Sequence, residues 1–244
     1  MPSHERHYVE RTLQYDALIS YEDASGAIPR AIAEILDHAG LDVVDLGAGT
    51  GRLARLLAGD ARSVVLLDGW GRMLDTAAVK MHREGHENWT IRVSDLRRLS
   101  LPDRSADLVV SGWSICYVAS SNQPSHRENL ALVISEIRRV LRPGGTAIIF
   151  ETLGAGEPGP RPPDSLTTYF RSLEREYGFS HRWIRTDYRF ASPQEARRLS
   201  AFFGTEMPSK LVGPRGTVLP ECTGVWWRAF PDDATAERNT AANR

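Results

Sequence analysis

Cysteine is scarce. Two residues, Cys116 and Cys222, in a chain of 244 cannot build a disulfide framework or a cysteine-ligated zinc site, so no metal centre is expected. Cys116 falls in a stretch that reads as core, which makes a reduced thiol and a cytoplasmic location the simplest reading. Charge of one sign is missing as well. A net charge of −1 exerts no global pull toward nucleic acid or an anionic membrane. No apolar run is long enough to cross a bilayer. The opening MPSHERHYVERT is polar and charged, which argues against a secretory signal. There is no internal repeat, and no low-complexity tract ahead of the tail. What is left is enough chain to bury a substantial core, read as one α/β domain with decorations.

The stretch that organises the rest is VVDLGAGTGRL, Val43 to Leu53. Val43, Val44 and Leu46 give the apolar run that a parallel strand covered on both faces needs. Gly47, Gly49 and Gly51 permit a tight turn and close approach of backbone to a ligand. Arg52, Leu53, Leu56 and Leu57 then begin a helix whose first amides face whatever sits on the loop. A nucleotide P-loop is excluded because no Lys-Ser/Thr follows. A dinucleotide fold wants its third glycine where this chain has Arg52. Asp45, two residues ahead of the first glycine, would repel a pyrophosphate but suits a ligand with an ammonium group. A glycine-rich turn without a ligand is the plainer alternative.

The next strand, SVVLLD, ends at Asp68, near the distance at which a doubly wound nucleoside site places a ribose-binding carboxylate. Asp68 could equally cap the helix that Gly69 and Trp70 start. Trp70 and Met73 read as neighbours of a base or as ordinary helix packing. WTIRVSDL, Trp89 to Leu96, alternates as a third strand ending at Ser94 and Asp95, a pair also common in turns. Pro102 and Asp103 make a turn before a fourth strand, Asp107 to Gly112. Trp113, Ser114, Cys116 and Tyr117 follow at its carboxyl end, the ligand side of an open α/β sheet. Leu130, Val133, Ile137, Val140 and Leu141 share one helix face, and Arg142 to Gly145 turn the chain into a fifth apolar strand.

Four such motifs in this order, over residues 41–152, resemble those of class I S-adenosylmethionine-dependent methyltransferases, of the type 11-like, Rossmann-like kind. The resemblance implies a doubly wound, mostly parallel seven-stranded sheet with helices on both faces and an antiparallel last strand pair. It implies an S-adenosylmethionine site built from Asp45, Gly47, Ala48, Gly49 and Gly51, from Asp68 with Gly69, Trp70 and Met73, from Ser94, Asp95 and Leu96, and from Gly112 with Trp113. In that family the acid at the third strand end accepts the adenine amino group. The implied reaction is methyl transfer to nitrogen or oxygen of a small-molecule acceptor by alignment and exclusion of water. No Asn/Asp-Pro-Pro-aromatic tetrapeptide follows the fourth strand, which argues against DNA adenine methylation, and two cysteines argue against an arsenic-methylating relative.

Outside the core the reading is coarser. Tyr8, Tyr15 and Tyr21 recur at roughly helical spacing. Tyr8 and Tyr15 either cap the cofactor and substrate pocket or pack a short helix. With Trp113 and Tyr117 they are candidates for an aromatic wall around the sulfonium. His126, Glu151 and Asp187 are candidate bases, each with a plain structural alternative; Tyr8, Tyr15, Tyr117 and His126 form the candidate catalytic set. A helix with Pro29 in its first turn buries Ile28, Ile32, Ile35 and Leu36. After the fifth strand a Gly/Pro-rich loop leads to Leu166, Tyr169, Phe170 and Leu173, helically spaced as a lid over a pocket. Trp183 to Phe190 reads as one strand or extended edge, Pro193 starts a helix, and strands at 210–212 and 223–230 would close the sheet as an antiparallel pair. Trp226 and Trp227 face opposite sides and read as packing. Arginines between 161 and 198 are a solvated face or a carboxylate or phosphate reader. The expected layout is a single domain over 1–230: an N-terminal helical cap (1–40), a cofactor core (41–153), a lid and substrate region (154–205) and closing strands (206–230), then a disordered tail (231–244). The expected partner is a small-molecule substrate, with no membrane and with nucleic acid disfavoured. A homo-oligomer stays open, as do an RNA or protein methyltransferase and a non-catalytic S-adenosylmethionine-binding module.

Overall fold

The computed structural model describes residues 11–200, 212–213 and 216–231. Its centre is a seven-stranded sheet. In chain order the strands are β1 (Asp42–Leu46), β2 (Ser63–Asp68), β3 (Trp89–Val93), β4 (Ala106–Gly112), β5 (Leu141–Ala155), β6 (Ser180–Arg185) and, late in the chain, β10 (Glu221–Ala229). The spatial order is β3-β2-β1-β4-β5-β10-β6. The first five run parallel, and β10 lies antiparallel between β5 and β6. Helices bridge β1 to β2, β2 to β3 and β4 to β5: α3 (Arg52–Leu57), α4 (Gly71–Arg83), and the one-turn α5 (Cys116–Ala119) with α6 (His126–Val140); the β3-to-β4 crossover, 94–105, carries none. The strand order reverses between β1 and β4, the place where an open α/β sheet leaves a crevice at its carboxyl edge.

Two cores flank the sheet because side chains alternate along each strand. Val44, Leu46, Val109 and Ile149 point one way, into a layer holding Val133 and Ile137 of α6 and Tyr169, Phe170 and Leu173 of α7 (Asp164–Arg175). Val43, Val110, Ile148 and Phe150 point the other way, onto Ile28 and Ile32 of α2 (Ala27–Ile35), Leu53 and Leu57 of α3, and Leu74 and Met81 of α4. Burial on both faces is why the central strands read as continuous apolar runs. The start of α2 is held by Asp23, whose carboxylate accepts the amides of Ala27 and Ile28 at 2.6 and 2.9 Å.

Several expectations need correcting. The third strand stops at Val93, and Ser94 and Asp95 fold into a turn bridged by Asp95 and Arg98. Trp183 to Phe190 is not one strand. It splits into β6 in the main sheet and β7 (Tyr188–Phe190), which joins β9 (Gly216–Leu219) and β8 (Val212–Gly213) in a small antiparallel sheet. The pair that closes the main sheet is therefore β10 with β6, and the strand at 212–213 belongs elsewhere. Leu166, Tyr169, Phe170 and Leu173 do not form a lid, for they are buried in the core against Trp226, which stacks on Phe170 at 4.5 Å. Covering is done instead by α1 (Thr12–Ile19). Leu18 packs with Tyr188, Phe190 and Ala196 of the small sheet and of α8 (Pro193–Ser200), and Lys80 of α4 pairs with Asp16. Tyr21 stays with that layer, donating to Glu195 at 2.7 Å. Tyr8, residues 210–211 and 232–244 of the tail lie outside the described residues.

Candidate functional site

The glycine loop is shaped by contacts that leave no room for side chains. Gly47, Gly49 and Gly51 all have positive φ. A Cβ on Gly47 would sit 2.3 Å from Ser114, whose hydroxyl donates to the Leu46 carbonyl at 2.9 Å; Ser111 donates to the same carbonyl. The end of β4 is thus tied to the end of β1, and the loop passes between. Above it lies a cavity of about 380 Å³.

The two central carboxylates hold the loop. Asp68, at the end of β2, accepts the amide of Gly49 on one oxygen and that of Trp70 on the other, both at 2.9 Å. Burial pushes its pKa up, and those two amides oppose the shift. Asp45 is 1% exposed and accepts the Ala54 amide at 2.9 Å. Burial raises its pKa to about 7, with nearby Asp68 adding to the rise. Asp95 differs. It is clamped by Arg97, which holds its pKa down, and it closes its own turn on the Arg97 amide. The Ser94 hydroxyl spans the same turn, donating to the Arg98 carbonyl and accepting the Ser100 amide. Met73 accepts a hydrogen bond from Thr12 of α1 at 3.5 Å.

The cavity wall gathers most of the residues singled out by sequence. Tyr15, Asp45, Gly47, Ala48 and Gly49 line it, as do Asp68, Gly69, Trp70 and Met73; Ser94, Asp95, Leu96, Gly112, Trp113 and Tyr117 complete the set. Gly51 does not line it: its open side faces Ala77 of α4, where a Cβ would lie 3.0 Å away, so that glycine serves helix packing. His126 is not brought to the cavity either, because it opens α6, one turn and a loop beyond α5. Glu151 and Asp187 are also absent from the wall. Glu151 is fully buried, accepting from the Cys116 amide at 3.0 Å and the Tyr169 hydroxyl at 3.2 Å, and burial raises its pKa to about 7. Asp187 accepts from Arg185 and from the Glu221 amide.

Trp113 gives the largest surprise. Its ring face carries the guanidinium of Arg52, 4.2 Å from the centroid, and Phe150 stacks with it at 6.3 Å. The indole lines the cavity while it packs against a cation of the protein itself. Sequence gives Arg52 a role as a helix start and as the residue standing where a dinucleotide fold has glycine, and gives Thr50, Ile19 and Arg97 no site role; all four line the cavity. Only their closeness to the glycine loop, to Tyr15 and to Asp95 could have flagged them. Three arginines of the third quarter have acidic partners: Arg161 with Glu157, Arg182 with Glu34, Arg185 with Asp187.

The residues present fit S-adenosylmethionine. Each Asp68 oxygen keeps a lone pair after its amide bond, as a vicinal diol requires. The Thr50 hydroxyl is buried at the wall without a hydrogen-bond partner among the described residues. Comparison with known proteins agrees. Residues 44–149 match the family model described as a methyltransferase domain. Among curated relatives, malonyl-[acyl-carrier protein] O-methyltransferase of Serratia marcescens is 30% identical over 139 residues, 55% of this chain and 49% of that protein. The chain spans about half the length of that relative. Among solved structures, an S-adenosylmethionine-dependent methyltransferase from Aquifex aeolicus superposes with a TM-score of 0.55 at 16% identity, over 89% of this chain and 95% of that one. Phosphoethanolamine N-methyltransferase 1 of Haemonchus contortus, in complex with phosphoethanolamine and S-adenosylhomocysteine, gives 0.51 at 18% identity, over 93% of this chain and 47% of that one. Residues 44–149 match the methyltransferase-domain family, and the chain shares a Rossmann-like fold with these S-adenosylmethionine-dependent methyltransferase structures.

Proposed function

We propose that this protein transfers a methyl group from S-adenosylmethionine to a nitrogen or oxygen of a small-molecule acceptor. The observation that carries the reading is Asp68, fixed through both oxygens by the amides of Gly49 and Trp70 at the wall of the cavity. When bound, the cofactor supplies an electrophilic methyl on a sulfonium whose departing thioether is neutral. The chain's own part is to bind, orient and exclude water. Asp68 holds the ribose hydroxyls. Asp45, in its ionised form, meets the ammonium group. Asp95, kept ionised by Arg97, accepts from the adenine amino group. Tyr15 and Ile19 of α1 close the cavity, and Tyr117 faces the acceptor from α5. The candidate bases His126, Glu151 and Asp187 stand off the wall, which favours positioning over a dedicated proton acceptor.

A small acceptor suits a cavity of about 380 Å³ closed by a helix. Three of the third-quarter arginines are held by acidic partners, and the stretch lacks the compact basic block of a nucleic-acid arm. The two free thiols suit a reducing, cytoplasmic setting. Among the described residues no helix is long and apolar enough to cross a membrane. The test is calorimetric titration with S-adenosylhomocysteine, with NAD as control. We expect micromolar binding that Asp68→Ala weakens at least tenfold, ~1.4 kcal/mol. Absence of binding to the wild-type protein would refute the reading.

A further inference from the structure

We propose that Arg52 anchors an anionic group, a carboxylate above all, on the methyl acceptor, so that the site selects acids over their neutral isosteres. The inference rests on the methyl-transfer reading above.

Arg52 opens α3 and lines the cavity, yet its side chain is only 17% exposed. Nη1 donates to Glu22 Oε2 at 2.8 Å. Nη2 is buried and has no hydrogen-bond partner among the described residues. A buried donor left unmade is costly, more so on a charged group. A guanidinium is a planar fork that matches a carboxylate. Here one arm of the fork is hydrogen-bonded and the other has no hydrogen-bond partner among the described residues. The fork cannot swing easily, because its carbon lies 4.2 Å over the Trp113 ring and Glu22, itself nearly buried, grips the other arm. That is a preorganised donor at a cavity wall, with its orientation already fixed.

Placement separates this donor from the nucleoside end. The strand order β3-β2-β1-β4 puts Asp95 and Asp68 at the ends of β3 and β2. Trp113 follows β4, on the other side of β1, and the Arg52 guanidinium lies over it. Tyr15 and Ile19 of α1 complete that side. The other acids near Arg52 are engaged elsewhere: Glu221 is off the wall and accepts from Thr152 at 2.7 Å, and Asp23 accepts the amides of Ala27 and Ile28. An acid that docks there gains a charge-assisted hydrogen bond that its amide lacks.

The experiment loads the protein with S-adenosylhomocysteine and titrates phenylacetate against phenylacetamide, and malonate against malonamide, by calorimetry. The wild type should bind at least one acid tenfold or more tighter than its amide. The double variant Glu22→Gln/Arg52→Gln removes both members of the buried pair, and a melting curve checks that it folds. Its acid preference should fall to twofold or less. Arg52→Lys keeps the charge but loses the fork, and should lose most of the preference. Equal binding of acid and amide to the wild type, including none by either, overturns the proposal, as does a preference that survives Arg52→Lys and the double variant unchanged. Weakened S-adenosylhomocysteine binding with the acid preference intact would give Arg52 to the cofactor's own carboxylate, which also overturns it. Failure of S-adenosylhomocysteine to bind the wild type is a separate result that sinks the methyl-transfer reading itself.

Discussion

Asp45 carries most of its chemistry in where it is buried. On β1 it alternates with Val44 and Leu46, so it points to the face covered by α3 and takes the Ala54 amide there. Burial raises its pKa to about 7. A ligand with an ammonium group favours the ionised form, so its binding pulls a proton off Asp45. S-adenosylhomocysteine affinity should therefore rise with pH between 6 and 8, and Asp45→Asn should flatten the profile; calorimetry across that range reads both. The residues that could be assigned from sequence are those whose role is local. Asp45, Gly47 and Asp68 sit at fixed offsets from one turn, and offsets are visible in a chain. The packing of Gly51 on Ala77 and of Trp113 under Arg52 is not legible in the chain, because those contacts are set by how helices and strands pack. The distance of His126 from the cavity is not legible either, because nothing local says how far a helix start stands from a cavity.

At the scale of elements, the informative part is the region after β5. Helix α7 has a strong apolar stripe, and a stripe says that a helix is covered without saying by what. Here the cover is the main core. Trp226 of β10 is 1% exposed and lies between Phe170 at 4.5 Å and His181 at 4.4 Å, with its indole N–H donated to Glu174 at 3.1 Å. Trp227, one residue on, faces the other layer under Arg182, as alternation requires. Trp226→Ala should cost about 3–5 kcal/mol, read by denaturant unfolding, whereas Trp227→Ala should cost clearly less. The five parallel strands were legible because each is an apolar run bounded by turn residues. The partners of β6 and β8 were not, because an edge strand of mixed character carries no mark of which sheet it joins.

For the whole molecule, three buried acids act together. Asp45 and Glu151 have pKa values raised to about 7, and Glu221 is raised to about 8, all chiefly by burial. The unfolded chain ionises these groups in the ordinary carboxylate range. Between that range and pH 7–8 the folded state holds more protons than the unfolded one, so stability falls as pH rises and levels off beyond. Asp42, held well below the usual range by Arg62, acts in the opposite direction, in strong acid only. The apoprotein's melting temperature should thus be higher at pH 5.5 than at pH 8. Glu151→Gln should reduce the difference, and a flat or inverted profile would contradict the assignment of these carboxyls as protonated.

The position of β10 has a further consequence, for synthesis. The ribosome delivers β5 and β6 well before β10, yet β10 is the strand that pairs with both. Until residue 229 has emerged, the β10-facing edges of β5 and β6 lack the strand that pairs with them, and an unpaired strand edge is a template for pairing with another chain. A growing or truncated chain that ends ahead of Glu221 is therefore the form of this protein that most needs a chaperone.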